Sequence, residues 1–432
     1  MIKKKIHKVG GKLLKSEFNR NVLALMTGTT IAQAIPVAIA PILTRIYSPE
    51  DFGVYALFLS VISIFGVIIN GRYELAIVLP KKDEDAINIL SISLILNLTI
   101  SLFLLILVIL LYEYFLKFPV IKEIGIWLYF IPLVVFLIGF WKMLNYFNIR
   151  KKQFKDIAKA TIIKSIVLAA VQLSIGFIKS GVTGLISGQI ISQLFANSKL
   201  LLNIIKDKVL LSKISRVKII SLAKKYKNFP KYDAPSSLSN TIALHLPSLL
   251  LPKLFGLTMT GYFFLAHKIV AIPSSLLGKS ISEVFMQEMS AKKNMKIKCW
   301  PFFIKTVKHL LLIGTPVLIL IALLGPYLFQ IIFGEEWKVS GEIAPYLAVV
   351  FLINFVVSTV SPVFSVSGQQ KRSAFWRYLY FITSLSIFVF SLIAGLKFFE
   401  FLLLYVIHEI LLYLIQFYLI VKSVRQIDER II

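Results

Sequence analysis

NVLALMTGTTIAQAIPVAIAPILTRIYSPEDFGVYALFLSVISIFGVIIN, residues 21–70, holds two apolar runs joined by the short polar turn SPED. Each run is about 20 residues long, the length a helix needs to cross a hydrocarbon core. Arg45, near the end of the first run, is the single charge within them. The flanks differ in charge. Ahead lies MIKKKIHKVGGKLLKSEFNR with seven Lys and Arg, behind lies GRYELAIVLPKKDEDA, and the turn carries acids alone. Positive charge marks the cytoplasmic side. The chain therefore starts inside, crosses outward and returns.

The same reading carried to the end predicts twelve spans, at 21–47, 52–70, 86–112, 124–147, 157–178, 182–205, 236–255, 258–286, 302–324, 343–366, 374–396 and 399–421. Every second loop is basic: Arg150 to Lys159, Lys199 to Lys231, Lys292 to Lys298, then Lys371, Arg372 and Arg377, and the tail from Lys422. The opposite loops hold isolated charges such as Lys117, Lys122, Lys179, Lys253, Lys338 and Lys397. An even number of spans with both termini in the cytoplasm satisfies this alternation. The longest outside loop is expected at 325–341, too small for a catalytic domain.

Composition agrees. Of 432 residues, 57% are hydrophobic and 16% charged, with a mean hydropathy of +0.82. A soluble chain of this size needs more polar surface. The net charge of +27 would suggest nucleic acid in a soluble protein. Here the inside loops and the anionic inner leaflet account for it, and no nucleic-acid partner is expected. The lone Cys299 excludes an internal disulfide and a multi-cysteine metal site, and no metal or other cofactor is expected. No short apolar core with a small-residue cleavage site follows the basic N-terminus. Residues 2–14 read as a basic amphipathic helix on the membrane surface.

The most basic loop divides the chain into halves that resemble each other. PILTRIYSPEDFGVYALF from Pro41 aligns with LLLPKLFGLTMTGYFFLA from Leu249 at an offset of 208 residues. Arg45 meets Lys253, Gly53 meets Gly261 and Tyr55 meets Phe263. An even number of spans per half gives both the same orientation, a parallel repeat about an axis along the membrane normal. The expected fold is all-α and polytopic, with two six-helix bundles related by a pseudo-two-fold along that normal. The expected parts are a basic segment (1–20), an N-terminal bundle (21–205), a basic linker (206–235), a C-terminal bundle (236–421) and a tail (422–432).

Ionisable side chains inside spans are costly, about 2.5–3.5 kcal/mol at a helix centre, and so point to function. Lys268 lies about ten residues into span eight, beside His267 and ahead of Pro273. On one continuous helix Lys268, Ser275, Lys279 and Ser282 share a face, with Glu283 near. That stripe reads as the wall of a water-filled cavity, or else Lys268 is satisfied by a carbonyl freed at Pro273 or by a neighbouring acid. Thr27, Thr30 and Gln33 give the first span a polar side, and Arg45 either receives an anionic group or snorkels to the interface. Arg72 and Glu74 close span two much as Lys279 and Glu283 close span eight, as gating pairs or structural ones. Asn240 and Thr241 accompany His245 on span seven, where a histidine either shuttles protons or is held by hydrogen bonds as a structural residue. His408 and Glu409 sit together on span twelve.

Enzyme signatures are missing: there is no phosphate-binding glycine loop and no Asp-rich cluster for metal-diphosphate chemistry. The protein is read as a non-enzyme. The basic start, the polar first span, LTRIYSPEDFGVYAL and RYELAIVLPKKDEDA together resemble the start of Wzx-type polysaccharide transporters. These belong to the multidrug/oligosaccharidyl-lipid/polysaccharide (MOP) exporter superfamily. The resemblance is specific over about the first 90 residues and rests beyond them on span number and the two halves.

It implies two bundles around a central cavity with alternating access. The implied cargo is an oligosaccharide on undecaprenyl diphosphate, moved to the outer leaflet of the bacterial cytoplasmic membrane for O-antigen, capsule or exopolysaccharide. An H+ or Na+ gradient, a glycan polymerase and a chain-length regulator are the implied partners. An anionic diphosphate calls for cations, and Lys268, Lys279, Arg72 and Arg45 are the candidates. Glu74, Glu283 and His245 are the coupling candidates; Thr30, Gln33, Asn240 and Ser275 supply cavity polarity. A multidrug exporter of the superfamily, a peptidoglycan-precursor flippase and a membrane glycan polymerase are the rivals.

Overall fold

The computed structural model describes residues 17–429 apart from 180 and 273, without the side chains of 17–26, 119, 120, 275, 276 and 280. The surface helix expected at 2–14 lies outside these residues. All regular elements among them are helical. The long ones are α1 (Glu17–Ile46), α2 (Pro49–Ile68), α3 (Asp83–Phe115), α4 (Ile131–Arg150), α5 (Phe154–Ile178), α6 (Thr183–Ile205) and the shorter α7 (Arg216–Lys225). They are followed by α8 (Ala234–Val270), α9 (Lys279–Asn294), α10 (Trp300–Phe333), α11 (Lys338–Val360), α12 (Gln370–Ala394) and α13 (Phe398–Glu429). Ten segments among the described residues are long and apolar enough to cross a membrane. The protein is a multi-pass, all-helical membrane protein.

The helices depart from the twelve expected spans at four places. α6 exists, but Thr183–Ile205 is not among the ten apolar segments. It buries Ser192, Gln193 and Asn197 instead of an unbroken apolar surface. Spans seven and eight are the two arms of α8, separated at Gly256. Its φ of 83° lies in the left-handed region, where a side chain would be strained. Span eight itself is not one helix. α8 stops at Val270, a π-helical turn covers Ser274–Gly278, and α9 begins at Lys279. The wider π turn resets the helical register, so the single face expected to run from Lys268 to Lys279 does not extend across the break. Finally, α10 continues through Pro316 and Pro326 to Phe333, which leaves little of the long outside loop expected at 325–341.

The chain forms two compact units, residues 1–46 with 58–238, and residues 47–57 with 239–432. In the first unit α1 packs on α5, α5 on α6, and α4 on both α3 and α6. Asparagine holds α4 in place. Asn97 donates to the Phe136 carbonyl at 3.0 Å, Asn197 to Leu137 at 3.0 Å and Asn70 to Gly139 at 2.8 Å. These donors come from α3, α6 and the turn after α2. A helical carbonyl keeps a second lone pair for such a bond. Each interhelical bond of this kind contributes about 0.6–2 kcal/mol in a membrane, where lipid offers the amide no alternative.

In the second unit α10 packs on α11, and α13 on α11 and α12. Residues 47–57 join it through two glycines. A Cβ on Gly53 would collide with the Leu257 carbonyl, and one on Gly261 with the Pro49 carbonyl. The 208-residue offset that pairs Gly53 with Gly261 also pairs Pro49 with Leu257. The contact is therefore reciprocal, as across a two-fold axis. Phe52 lies against Trp337 (ring centroids 4.9 Å apart), and Trp337 is fully buried.

Candidate functional site

The first unit gathers its charge around the segment Arg72–Asp85. Gly71 and Arg72 both have positive φ, 57° and 62°, and turn the chain from α2 into a 3-10 helix, Tyr73–Val78. Left-handed backbone costs a non-glycine residue about 1–2 kcal/mol. Arg72 recovers this through two carboxylates: its Nε meets Asp233 Oδ2 at 2.7 Å, and an Nη meets Glu74 Oε1 at 3.4 Å. Glu74 is 1% exposed, and its Oε2 has no hydrogen-bond partner. Burial raises its pKa, against the pull of Arg72 and Lys142. Lys142 donates to the Gly66 carbonyl at 2.7 Å.

The acids that follow act as an anchor for the basic loops. Asp83 holds Arg150 at 2.8 Å and Lys151 at 2.6 Å. Arg150 also donates to the Pro80 carbonyl at 2.6 Å. Glu84 pairs with Lys218 of α7 at 2.7 Å, and Asn88 accepts from the Ser215 amide at 2.8 Å while donating to the Lys213 carbonyl. The segment RYELAIVLPKKDEDA thus fixes the loop after α4 and the loop before α8. The sequence pairs Arg72 with Glu74; it does not reveal Asp233, 161 residues away. The one available signal was an acid in the otherwise basic stretch KNFPKYD.

The second unit is different. Lys268 lies 5.9 Å from the centroid of the Phe264 ring, and no ion pair reaches it among the described residues. Phe264 packs edge-on to Tyr55 at 6.2 Å and near Phe52 at 6.5 Å. His267 lies against Phe263 and, at 4.8 Å, Phe351. A cation over an aromatic face gains about 0.5–2 kcal/mol and keeps its hydrogen-bond donors for another acceptor. The same helix carries half-buried Asn240 and His245 on its first arm.

The other candidates are scattered. Arg45 is exposed in the last turn of α1 and donates to the Pro41 carbonyl at 2.6 Å. Thr30 and Gln33 are exposed on the same helix, three residues apart. Lys279 and Glu283 are both exposed on α9, and no ion pair joins them. The Ser275 side chain lies outside the described residues. The structure brings Arg72 and Glu74 together, and adds Asp233 and Lys142. It leaves Lys268 apart from Lys279 along the chain's helical register.

An apolar trough of about 780 Å³ runs along α10, lined by residues including Leu312, Pro316, Ile319 and Leu323, with Lys308 at one end. Lys308 is one of two lysines on this long apolar helix, and the sequence pattern does not single it out.

Solved structures share this multi-pass helical fold. The chain matches the lipid II flippase MurJ in an inward closed conformation with a TM-score of 0.66 and 15% identity, covering 95% of this chain and 90% of that one. It matches an inward-facing multidrug resistance MATE family transporter of the MOP superfamily with a TM-score of 0.64 and 15% identity, over 95% and 96% of the two chains. An amylovoran biosynthesis protein, AmsL of Erwinia amylovora, is 18% identical over 145 residues, 34% of this chain and 37% of that protein. The aligned stretch thus spans little more than a third of that relative. A family described as polysaccharide biosynthesis protein matches residues 42–342. The chain belongs to this polysaccharide biosynthesis family, on the fold of the MOP superfamily.

Proposed function

We propose that the protein carries an undecaprenyl-diphosphate-linked oligosaccharide across the bacterial cytoplasmic membrane, from the inner to the outer leaflet. It does so by alternating access, as one step in building a surface polysaccharide. The observation that carries the reading is Lys268. It is a cation within a membrane-spanning helix whose described neighbour is an aromatic ring and not a carboxylate. A lone intramembrane lysine is costly, and a diphosphate supplies the opposite charge that the protein withholds. Membership of the polysaccharide biosynthesis family supports the glycan part of the cargo. The α10 trough, apolar with Lys308 at one end, has the polarity of a polyprenyl chain ending in phosphate.

Arg72 has a different part in this account. Two carboxylates already hold it, so its role is to fix the 3-10 segment, while Lys268 meets the cargo. Arg45 and Lys279 are exposed and serve as approach charges for the anionic head. A glycan polymerase and a chain-length regulator act on the product after release.

The test is a strain lacking the gene. Its polyprenyl-linked glycolipids are profiled by mass spectrometry, and their membrane face is determined with an impermeant glycan-modifying probe. Completed oligosaccharide-diphospholipid retained on the cytoplasmic face, with surface polymer lost, is the expected result. Normal glycolipids and polymer, with new sensitivity to cationic drugs, would support the multidrug reading and refute this one.

A further inference from the structure

A second buried acid lies in the other compact unit, far along the chain from the diphosphate candidates. Glu409 is the twelfth residue of α13 and is 2% exposed. Tyr380 of α12 donates its hydroxyl to Glu409 Oε2 at 3.2 Å. Glu409 Oε1 has no hydrogen-bond partner and faces His408 Nδ1 at 3.7 Å. His408 Nδ1 has no partner either.

The other side of the imidazole fixes its tautomer. His408 Nε2 lies 2.9 Å from Thr383 Oγ1. The Thr383 hydroxyl gives its own hydrogen to the Leu379 carbonyl at 2.7 Å. Its oxygen is therefore an acceptor towards the ring, so Nε2 carries a hydrogen. In the neutral ring Nδ1 is then a bare lone pair. That lone pair looks at a carboxylate oxygen that also lacks a donor. Two acceptors face each other across 3.7 Å, an arrangement that one proton converts into donor and acceptor.

The surroundings hold no counter-cation. A carboxylate buried without a cation is expensive, and among the described residues no Lys or Arg forms an ion pair with Glu409. The titratable groups that interact with it are Tyr380 from α12, and His408, Tyr405 and Tyr413 from α13. α11 contributes the neutral Asn354, which donates to the Tyr413 hydroxyl at 2.6 Å. Trp376 stacks on Tyr380 from the same layer. A hard metal ion gathers six or more oxygen ligands. Here the wall is aromatic, and among the described residues no three His, Cys, Asp or Glu side chains converge.

We propose that His408 and Glu409 form a binding site for a single proton within the helices of the second unit, positioned by Thr383 and Tyr380. The proton enters between Glu409 Oε1 and His408 Nδ1 and leaves from there; no other bond changes. Bound, it makes the pair neutral, with the acid Oε1–H of Glu409 donating to His408 Nδ1. Released, it leaves a buried negative charge against Tyr380, which drives α12 and α13 towards a more hydrated arrangement. As the source of energy for transport this rests on the flippase reading. As a site of protonation it does not.

The test uses the full chain in nanodiscs, labelled with 15N-histidine, which gives five histidines to resolve. Nitrogen shifts and the infrared carboxylic-acid band are followed against pH. The expected result is one shared transition, with His408 Nδ1 and the acid band changing together. Glu409→Gln abolishes that band and displaces the His408 transition by at least about one pH unit, a tenfold change in proton affinity. Tyr380→Phe keeps the transition and displaces its midpoint, because the carboxylate loses its donor. A His408 titration that is the same in wild type and Glu409→Gln would overturn the proposal. So would an acid band that survives that substitution. Either failure leaves the glycolipid test of transport untouched. Spectra as expected alongside normal glycolipids in the deletion strain would instead refute the flippase reading alone.

Discussion

The segment Arg72–Asp85 and the helices around Lys268 and Glu409 treat charge in opposite ways. In the first, Arg72 is matched by Glu74 and Asp233, Arg150 and Lys151 by Asp83, and Lys218 by Glu84. In the second, Lys268 has an aromatic ring for company, and Glu409 has a tyrosine and one histidine. Charges that are neutralised in place hold a scaffold together; removing one partner leaves the other exposed to the full cost of burial. Charges left without an opposite are held at a cost to stability. Under the proposed function that cost is recovered when a ligand or proton arrives, and the difference separates residues that build from residues that bind.

Arg72→Ala should break the comparison most visibly. It leaves Glu74 buried without its cation, and stability should fall by about 3 kcal/mol. Thermal unfolding in detergent reads this as a lower midpoint and reduced abundance. Adding Glu74→Gln should restore much of the loss, since the stranded charge is then gone. Equal instability of single and double variants would show that Arg72 acts through Asp233 alone.

Lys268→Ala should do the reverse. Among the described contacts a cation–π one is lost, about 0.5–1 kcal/mol, so abundance stays near normal. Surface glycan should drop at least about tenfold, the effect of losing one charge-assisted contact of 1.4 kcal/mol or more. Lys268→Arg should retain part of it. Near-normal glycan at normal abundance would remove Lys268 from the site.

Stability against pH sharpens the contrast within the first unit. Burial raises the Glu74 pKa above the ordinary value of 4.5. The folded state then binds more protons than the unfolded one between those two values, so stability falls as pH rises through that window. Glu74→Gln should flatten this slope, measured as the unfolding midpoint across pH. A slope that persists in the variant would assign it to other acids.

Lys279→Ala is the smallest change. The side chain is exposed and forms no ion pair with Glu283, so the expected stability effect is within about 0.5 kcal/mol. If its loss lowers glycan output as much as that of Lys268, the division between approach charge and binding charge fails.

Long apolar runs and alternating basic loops made most of the fold legible, because both follow from the bilayer itself. What the sequence hid are features that depend on partners far along the chain. α6 reads as a span by position, yet Ser192, Gln193 and Asn197 are buried in it, a polarity that makes sense only once Asn197 is seen bonded to α4. Asn70 and Asn97 look like isolated polar residues until Gly139 and Phe136 appear beside them. The Lys268–Lys279 face assumed one helix, and the π turn at Ser274–Gly278 removed that assumption. The Gly53–Gly261 alignment pairs two positions that also meet in space, an approach that only a residue without Cβ permits.

The central claim, that an unpaired cation meets an anionic lipid head, is open to one direct measurement. Wild type, Lys268→Ala and Lys279→Ala are released from detergent with added undecaprenyl diphosphate and weighed intact by native mass spectrometry. A lipid adduct on wild type and Lys279→Ala that falls at least about tenfold in Lys268→Ala is the predicted result, the loss of about 1.4 kcal/mol of binding. Equal adducts on all three proteins would contradict the account.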